Sequence, residues 1–286
     1  MRQSVFITGC SLGGLGDALA QEFHRRGLLV IASARNLSKM DHLVKMGIKT
    51  VQLDTLDDGS IQAAVEKVRE LTGGQLGILV NNAGGLYNSP IMDISFTDAK
   101  ALFDLNFWSY IAVTQAFLPL LRQANHAKIV MHTSIASVAP LPWSGVCCAS
   151  KAAVASVADT LRLELQPFNI KVIELKTGCV KSMVFKNQNG GSKARLPDNS
   201  IYASAREVIE DSMMGKAIEE RSISAKSWAR HVVSDIVKSD PPYRIWKGTE
   251  STRAWASAFL PASIIISLVS KITKLDQVTE IIRFST

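Results

Sequence analysis

Near its amino terminus the chain reads SVFITGCSLGGLG over residues 4–16. A short apolar run passes there into a glycine-rich turn, and an apolar helical pattern follows directly. Strand, glycine turn and helix in this order are typical of the first unit of a dinucleotide-binding sheet, because the helix offers unpaired backbone N–H groups to a pyrophosphate. The pattern therefore predicts a nucleotide-binding turn, with contacts from Thr8, Gly9, Ser11, Gly13, Gly14 and Leu15.

The rest of the chain alternates short apolar runs with helix-length segments, which predicts a parallel sheet with helices on both faces. The predicted strands are 4–8, 28–33, 50–54, 76–81, 128–133, 170–175 and 243–246. The predicted helices are 14–26, 38–46, 60–71, 95–123, 145–166, 203–220 and 225–239. The fold class is therefore α/β, with a single Rossmann-like doubly wound parallel sheet. We expect residues 1–250 to form the dinucleotide-binding and catalytic domain, and residues 251–286 to form an apolar, helical C-terminal extension.

Composition narrows the class of protein. The chain has 286 residues, of which 47% are hydrophobic and 20% are charged, as in ordinary globular proteins. Its 32 basic and 25 acidic residues give a net charge of +7 without clusters, which argues against a nucleic-acid surface and suits a phosphate-bearing ligand. The four cysteines do not have metal-site spacing, so we expect reduced thiols, no metal and an intracellular protein without a signal peptide.

Two segments depart from the alternation. Residues 186–200 are rich in Asn, Gly and Ser, and this composition predicts a mobile loop. Residues 254–270 carry no formal charge and contain a proline. They fall short of the roughly 20 apolar residues that a bilayer-spanning helix needs. A buried helix, a substrate lid, a subunit interface and a membrane-surface contact remain as alternatives, and the flanking Arg253, Lys271 and Lys274 would help the last of these.

The end of the second predicted strand indicates which nucleotide binds. A site that prefers NAD places a carboxylate there for the ribose 2′-hydroxyl, whereas this chain has Arg35, which can pair with a 2′-phosphate. We therefore predict NADP(H) as the cofactor; the alternative is that Arg35 is a solvated loop residue. Asp54 ends the third strand, where its carboxylate could accept from the adenine amine. Asn81 and Ala83 lie where the nicotinamide-side sugar could approach the backbone.

Together these motifs resemble those of the short-chain dehydrogenase/reductase family over about residues 3–250. The resemblance is carried by the glycine turn, Asp54, Asn81-Asn82-Ala83-Gly84, Asn106, Ser134, Ala149-Ser150-Lys151-Ala152-Ala153 and Gly178-Cys179-Val180. Within the family the chain looks most like fungal NADPH-dependent acyl-dihydroxyacetone-phosphate reductases and their relatives in secondary metabolism. A glycine turn longer by one residue and the apolar tail around Phe259 carry that nearer resemblance. The resemblance implies further cofactor contacts from Lys151, Gly178, Val180 and Ser182.

The family's chemistry, as the resemblance implies it, uses a serine, a tyrosine, a lysine four residues after the tyrosine, and an asparagine. Ser134, Lys151 and Asn106 match these positions, but the tyrosine position holds Cys147. A thiol is a weak hydrogen-bond donor and reaches less far than a phenol, so ordinary ketone reduction should be badly impaired. Ser134, a water or Tyr202 could supply the proton instead, and Cys147 could be a nucleophile or a space-filling residue.

Three functions are compatible with this pattern. The first is NADPH-dependent reduction of a hydrophobic carbonyl or iminium substrate in lipid or secondary-metabolite biosynthesis; an iminium needs no proton on nitrogen during hydride addition. The second is a non-redox cyclase or isomerase on the same scaffold, and the third is a catalytically dead member that binds a partner. The intact nucleotide residues favour the first two. Apolar neighbours of the site indicate a hydrophobic small-molecule substrate, with contacts from Trp143, Phe185 and Tyr202.

The resemblance also bears on partners and location. It implies a homodimer or homotetramer formed through the helices that carry Asn106 and Lys151. We expect the protein in the cytoplasm, or peripherally on the endoplasmic reticulum or on lipid droplets through its C-terminal extension.

Overall fold

A seven-stranded parallel sheet with the order β3-β2-β1-β4-β5-β6-β7 lies at the centre of the computed structural model, which describes residues 2–188 and 194–285. Its strands are β1 (Ser4–Ile7), β2 (Leu29–Ala34), β3 (Lys49–Gln52), β4 (Ile78–Asn81), β5 (Lys128–Ser134), β6 (Lys171–Thr177) and β7 (Arg244–Lys247). Each observed strand lies within two residues of a predicted one at either end. The predicted single Rossmann-like sheet is therefore confirmed.

The strand order changes direction at β1. This strand pairs with β2 on one side and with β4 on the other, both in parallel. In an open α/β sheet, ligands bind in the crevice beyond the carboxyl ends of the strands at such a switch point. Thr8, Asn81 and Ser134 stand at the ends of β1, β4 and β5 and therefore share this edge of the sheet.

Helices cover both faces of the sheet. One face carries α1 (Leu15–Arg25), α2 (Asp41–Lys45) and α9 (Ala225–Ile236), and the other carries α3 (Asp58–Thr72), α5 (Ser109–Arg122) and α6 (Gly145–Glu164). Successive side chains of a strand point to opposite faces. Val5 and Ile7 accordingly enter the first core, whereas Phe6 enters the second and stacks on Phe117 at 4.6 Å between ring centroids.

The predicted helix over 95–123 is interrupted. Helix α4 (Phe96–Phe103) is followed by a π-helical turn, Asp104–Trp108, which leads into α5. Such a turn accommodates one extra residue in a helix and often marks a functional site. It buries Asn106 completely. The expectation of one continuous helix is wrong at this point.

The predicted helix over 203–220 is also divided, into α7 (Arg206–Met213) and α8 (Lys216–Arg221). Gly215 separates them with a φ of 71°, a conformation that favours glycine. A Cβ there would lie 2.2 Å from the ring of Phe185, so the close packing of this ring requires glycine as well.

The C-terminal extension is helical, as predicted. It comprises α10 (Ser251–Ser257), α11 (Ala262–Ile272) and α12 (Leu275–Ser285). Helix α12 packs through Val278 into a cluster with Ile209 of α7. Helix α11 exposes the apolar side chains of Ile264, Ile266, Leu268 and Ile272. Within the described part of the chain, no helix has the length and apolar character to cross a bilayer.

The segment predicted as a mobile loop is described only in part. Its residues 189–193 lie outside the described residues. After this gap, Ala194 and Leu196 are buried in the cluster that α7 and α12 form. Leu196 also donates its backbone N–H to Glu210 Oε1 at 3.0 Å. The described end of the segment is therefore packed against the helices that follow it.

Candidate active site

The glycine turn after β1 is fastened to the end of β4. Thr8 Oγ1 accepts hydrogen bonds from the backbone amides of Asn82 and Ala83, both at 2.9 Å. Asn82 Nδ2 donates to the carbonyl oxygens of Thr8 and Gly9, at 2.7 and 3.1 Å. A Cβ on Gly16 would lie 2.4 Å from the Gly9 carbonyl oxygen, so only glycine allows this approach. The turn and the strand end therefore form one unit.

The amino terminus of α1 is open to a ligand. No side chain caps its first turn, so its first amide groups are left for an anion. One carboxylate lies beside it: Asp17 Oδ2 accepts from the Gly13 amide at 2.9 Å, while Oδ1 lies 2.8 Å from His42 Nε2. The Gly13 amide, which we predicted as a cofactor contact, thus has a partner inside the turn. The remaining predicted contacts, Ser11, Gly14 and Leu15, lie around the helix start.

The loop after β2 lies beside the glycine turn. The Leu12 amide donates to the Lys39 carbonyl oxygen at 2.9 Å, and the Cys10 amide donates to the Ser33 carbonyl oxygen at 2.8 Å. Arg35 follows β2 and is exposed. Asp54 is half-buried after β3, and its Oδ1 accepts from the Leu56 amide at 3.1 Å.

The segment after β6 crosses toward the same turn. Gly178 is required here, because a Cβ would lie 2.1 Å from the Thr249 carbonyl oxygen. Val180 pairs with Ile223, and Ser182 Oγ accepts from the Val184 amide at 3.4 Å. The Met183 side chain then lies 3.1 Å from where a Cβ of Gly13 would be, so this segment lies over the glycine turn.

Lys151, on α6, has its ammonium group beside the end of β5. Nζ donates to the His132 carbonyl oxygen at 3.1 Å and lies 3.5 Å from the Tyr110 hydroxyl oxygen. A Cβ on Gly84 would lie 3.5 Å from Nζ, so this glycine keeps space beside the ammonium on the side of the turn after β4. Burial lowers the pKa of Lys151 to about 8, since the charged form loses hydration; the nearby Cys147 thiol has a smaller, opposite effect.

Asn106 joins three elements of the site from the π-helical turn. Its Oδ1 accepts from the Gly85 amide at 2.8 Å, and its Nδ2 donates to the Gly85 carbonyl oxygen at 3.2 Å. Nδ2 also donates to Ser150 Oγ at 3.1 Å. Because Ser150 precedes Lys151 on α6, Asn106 fixes the lysine's helix against the turn after β4.

Cys147 occupies the position one helical turn before Lys151. It is buried in an apolar cluster with Leu102 of α4. Burial raises the pKa of the Cys147 thiol to about 11, although the Lys151 charge opposes this effect. The thiol is therefore protonated at neutral pH, which argues against a thiolate nucleophile. The adjacent Cys148 is half-buried, with its Sγ 3.9 Å from the Ala139 carbonyl oxygen.

Ser134 ends β5, and a buried ion pair supports the loop that follows. The Ser134 carbonyl oxygen accepts from Ser137 Oγ at 2.7 Å, and Ser137 Oγ accepts from Lys176 Nζ at 2.7 Å. Lys176 pairs with Glu174 at 2.5 Å between Nζ and Oε1, and both side chains are nearly inaccessible. Sequence reasoning missed this network. Glu174 and Lys176, two opposite charges two residues apart within a strand, were the available signal.

His132 is buried and neutral. Its Nδ1 lies 2.9 Å from Asn82 Oδ1, and its Nε2 lies 2.7 Å from Thr177 Oγ1. Because an amide oxygen only accepts, Nδ1 carries the proton and Nε2 accepts from Thr177. The ring stacks on Trp228 at 5.6 Å between centroids. Burial, with a contribution from the Lys151 charge, lowers the pKa of His132 to about 3.

This histidine makes stability depend on pH. Its pKa is about 6.5 in an unfolded chain and about 3 in the fold. Between these values the unfolded chain binds more protons, so the free energy of unfolding decreases as the pH falls from about 6.5 toward 3. We expect His132→Gln to reduce the slope of the free energy of unfolding against pH by an amount equivalent to up to about one bound proton. Denaturant titrations at several pH values measure this slope. His231→Gln, which changes an exposed histidine, is the control. Equal slopes in the two variants would contradict the assignment.

Two of the three predicted substrate residues, Trp143 and Tyr202, lie near α12. The Trp143 ring meets the Tyr202 ring edge-on at 5.3 Å between centroids. Both pack on the cluster that contains Val278 of α12. Phe185 packs separately against Gly215, at the break between α7 and α8. The structure therefore brings two of the three predicted substrate residues into contact.

Comparison with known proteins identifies the family. A sequence model of a protein family, described as short chain dehydrogenase, matches residues 3–193, more than half of the chain. The chain belongs to the short-chain dehydrogenase/reductase family. This membership accounts for the glycine turn, the Asn-Asn-Ala-Gly turn and the serine and lysine positions together.

Relatives of this short-chain dehydrogenase extend over almost its whole length. A short-chain dehydrogenase/reductase of Pestalotiopsis microspora, GME11361, is 39% identical over 282 residues, which cover 99% of this chain and 98% of the relative. The NADPH-dependent 1-acyldihydroxyacetone phosphate reductase of Schizosaccharomyces pombe is 33% identical over 282 residues, covering 95% of this chain and 94% of the relative. The match with the Pestalotiopsis microspora relative therefore includes nearly all of the C-terminal extension.

Solved structures show the same fold for this short-chain dehydrogenase. A short-chain dehydrogenase from Streptomyces avermitilis superposes with a TM-score of 0.77 at 21% identity, covering 98% of each chain. One from Burkholderia cenocepacia, in complex with NADP, superposes with a TM-score of 0.74 at 18% identity, covering 94% of this chain and 97% of the other. At these identities the likeness concerns the fold.

One residue of this short-chain dehydrogenase site was missed by sequence reasoning. Tyr110 is 41 positions from Lys151 in the chain, yet its hydroxyl lies beside the lysine Nζ. The signal was present in the sequence, because Tyr110 follows Asn106 by four residues, the spacing that places two residues on one helix face.

Proposed function

We propose that the chain is an NADP(H)-dependent oxidoreductase that acts on a hydrophobic carbonyl or iminium substrate. The observation that carries the proposal is the placement of Lys151. The half-buried lysine holds its ammonium at the carboxyl-end edge of the sheet, beside Gly84. The glycine turn and the uncapped start of α1 lie at the same edge. A cation and an uncapped helix start at one edge of the sheet suit a dinucleotide.

The residues present fit NADP(H). Thr8 and Asn82 hold the glycine turn so that the start of α1 can receive the pyrophosphate. Arg35 would bind the 2′-phosphate, and Lys151 would bind the nicotinamide-side ribose. NADPH supplies a hydride when it is bound. Ser134 is proposed to donate a hydrogen bond to the substrate oxygen.

The cysteine at position 147 affects which substrates the site could reduce without further help. Its thiol is short, buried and protonated, so it is a poor replacement for a phenol as acid. An iminium is reduced by hydride addition alone and would not need this acid. A carbonyl needs a proton from another group of the site. The non-redox and non-catalytic alternatives would not require Arg35, the glycine turn and Lys151 together.

The substrate side supports an apolar ligand. Trp143 and Tyr202 pack in an apolar cluster with residues of α12. Residues 251–286 are therefore proposed to wall the substrate site. The Schizosaccharomyces pombe relative is named for a lipid substrate, 1-acyldihydroxyacetone phosphate, which agrees with a role in lipid or secondary metabolism. Contact of α11 with a membrane surface, and a homodimer or homotetramer, stay predictions. The exposed apolar side chains of α11 favour the former.

A calorimetric titration with NADPH, and with NADH as comparison, tests the proposed cofactor. We expect NADPH to bind in the micromolar range and NADH much more weakly. Arg35→Ala should weaken NADPH binding about 10- to 100-fold and leave NADH binding almost unchanged, because a charged hydrogen bond contributes about 1.5–3 kcal/mol. Arg69→Ala, on the exposed side of α3, is the matched control. Equal losses for both nucleotides would refute the role of Arg35, and binding of neither would refute the proposed function.

A further inference from the structure

The ammonium group of Lys151 is held between two neutral oxygen atoms. One is the His132 carbonyl oxygen, at 3.1 Å from Nζ, and the other is the Tyr110 hydroxyl oxygen, at 3.5 Å. Tyr110 is almost completely buried, and its hydroxyl donates to the same His132 carbonyl oxygen at 3.3 Å. Because its proton is used in that bond, the hydroxyl oxygen faces Lys151 as an acceptor. Nζ also lies 5.1 Å from the centroid of the Tyr110 ring.

We propose that Lys151 itself delivers the proton to a carbonyl substrate, and that Tyr110 is the positioning residue that holds its ammonium for this step. The inference rests on the proposed function. Hydride passes from NADPH to the carbonyl carbon, and a proton passes from the Lys151 ammonium to the carbonyl oxygen. The products are the alcohol, NADP⁺ and a neutral lysine amine, which regains its proton from water.

The groups that face Lys151 agree with this role. Cys147 on α6 contributes a neutral thiol, Tyr110 on α5 contributes a phenol whose pKa burial raises, and His132 on β5 contributes a carbonyl oxygen and a neutral ring. Among the described residues no carboxylate forms an ion pair with Lys151. The ammonium is therefore uncompensated, and its pKa of about 8 suits proton donation near neutral pH.

The other candidate donors are weaker. The pKa of Cys147 is raised to about 11, and burial raises the pKa of Tyr110 well above the ordinary value of a phenol. Tyr110 also lies behind the lysine, with its proton directed at the His132 carbonyl oxygen. Of Lys151, Cys147 and Tyr110, Lys151 is the one that has a proton available near neutral pH and an ammonium beside Gly84.

Nuclear magnetic resonance of the apo protein tests the positioning step without any turnover. Lysines labelled with ¹³C at Cε are titrated, and the Lys151 signal is assigned by its loss in Lys151→Arg. We expect Lys151 to titrate near pH 8, whereas ordinary lysines titrate near 10.4. Tyr110→Phe should lower the midpoint of Lys151 by about half to one unit, because the charged form loses an acceptor. Tyr87→Phe, which removes a hydroxyl bonded to the Ser95 amide, is the control and should not change it.

A midpoint near 10 in the parent protein, or one that Tyr110→Phe does not move, would overturn the positioning role. Single-turnover reduction of 9,10-phenanthrenequinone by NADPH then tests proton delivery. We expect the single-turnover rate to fall as the pH rises above the titration midpoint of Lys151. In Tyr110→Phe we expect this fall to occur at a lower pH, as the midpoint does.

A rate independent of pH across the midpoint, in a protein that still binds NADPH, would overturn proton delivery while the proposed function stands. Failure of the protein to bind NADPH in the calorimeter would instead overturn the proposed function, and the inference with it.

Discussion

Cys147→Tyr is expected to raise the rate constant for reduction of a simple ketone, such as 4-nitroacetophenone with NADPH, by about 10²-fold. A phenol one helical turn before Lys151 would add a hydrogen-bond donor and an acid within reach of the substrate oxygen. Each such contribution is typically on the order of 10² or more in rate. The lysine and the asparagine that support such a phenol are already in place, since Asn106 is bonded to Ser150.

The matched control is Cys148→Tyr, which introduces the same side chain one position later. Cys148 lies on another face of α6, with its Sγ near the Ala139 carbonyl oxygen. We expect no gain in this variant. Because position 147 is tightly packed, thermal unfolding of both variants should accompany the kinetics. A folded, NADPH-binding Cys147→Tyr protein without faster ketone reduction would show that this site does not perform carbonyl reduction.

Gly16→Ala is expected to weaken NADPH binding by about 10²-fold or more. The added Cβ would lie 2.4 Å from the Gly9 carbonyl oxygen and 2.5 Å from Asn82 Nδ2, both of them parts of the hydrogen bond that closes the turn. Relief of such overlap requires the turn to move away from the start of α1. Loss of one or two hydrogen bonds to the charged pyrophosphate, at about 1.5–3 kcal/mol each, would weaken binding by about 10²-fold or more. Calorimetric titration with NADPH measures the effect.

Gly59→Ala provides the control for this change. Gly59 lies in the first turn of α3, where a Cβ would meet only the end of the Asp57 side chain, at 3.2 Å. We expect NADPH affinity close to that of the parent protein. We also expect Gly16→Ala to lower the free energy of unfolding by about 1–3 kcal/mol, as overpacked sites do. Unchanged affinity in Gly16→Ala would mean that the nucleotide does not use this turn.

The sheet was predictable because its signals are local. Apolar runs such as residues 5–7 and 78–80 bury their side chains on both faces of a parallel sheet, so they stand out in the sequence. The helix boundaries were harder to predict from the sequence. The π-helical turn at Asp104–Trp108 depends on how Asn106 bonds to Gly85, a contact between distant parts of the chain. The end of α7 depends in the same way on the ring of Phe185.

The residues of the candidate site can likewise be divided into those that the sequence predicts and those that it does not. Motif positions such as Ser134, Lys151 and Asn106 could be chosen because their spacing is carried in the sequence. Their neighbours could not. Tyr110 comes to Lys151 from another helix, and Lys176 reaches the Ser134 loop through Ser137 across two paired strands. Such contacts follow from the register of the sheet and from helix packing, which no short window of sequence contains.

The π-helical turn also sets how the site could change during evolution. One residue rotates an α-helix by about 100°. Loss of a single codon between positions 104 and 108 would therefore rotate Asn106 and α4 relative to the part of α5 that carries Tyr110. The buried face of α5 packs against the sheet through Phe117, so α4 would have to turn instead. A single insertion or deletion could thus separate the lysine's two supports, whereas point substitutions would alter them one at a time.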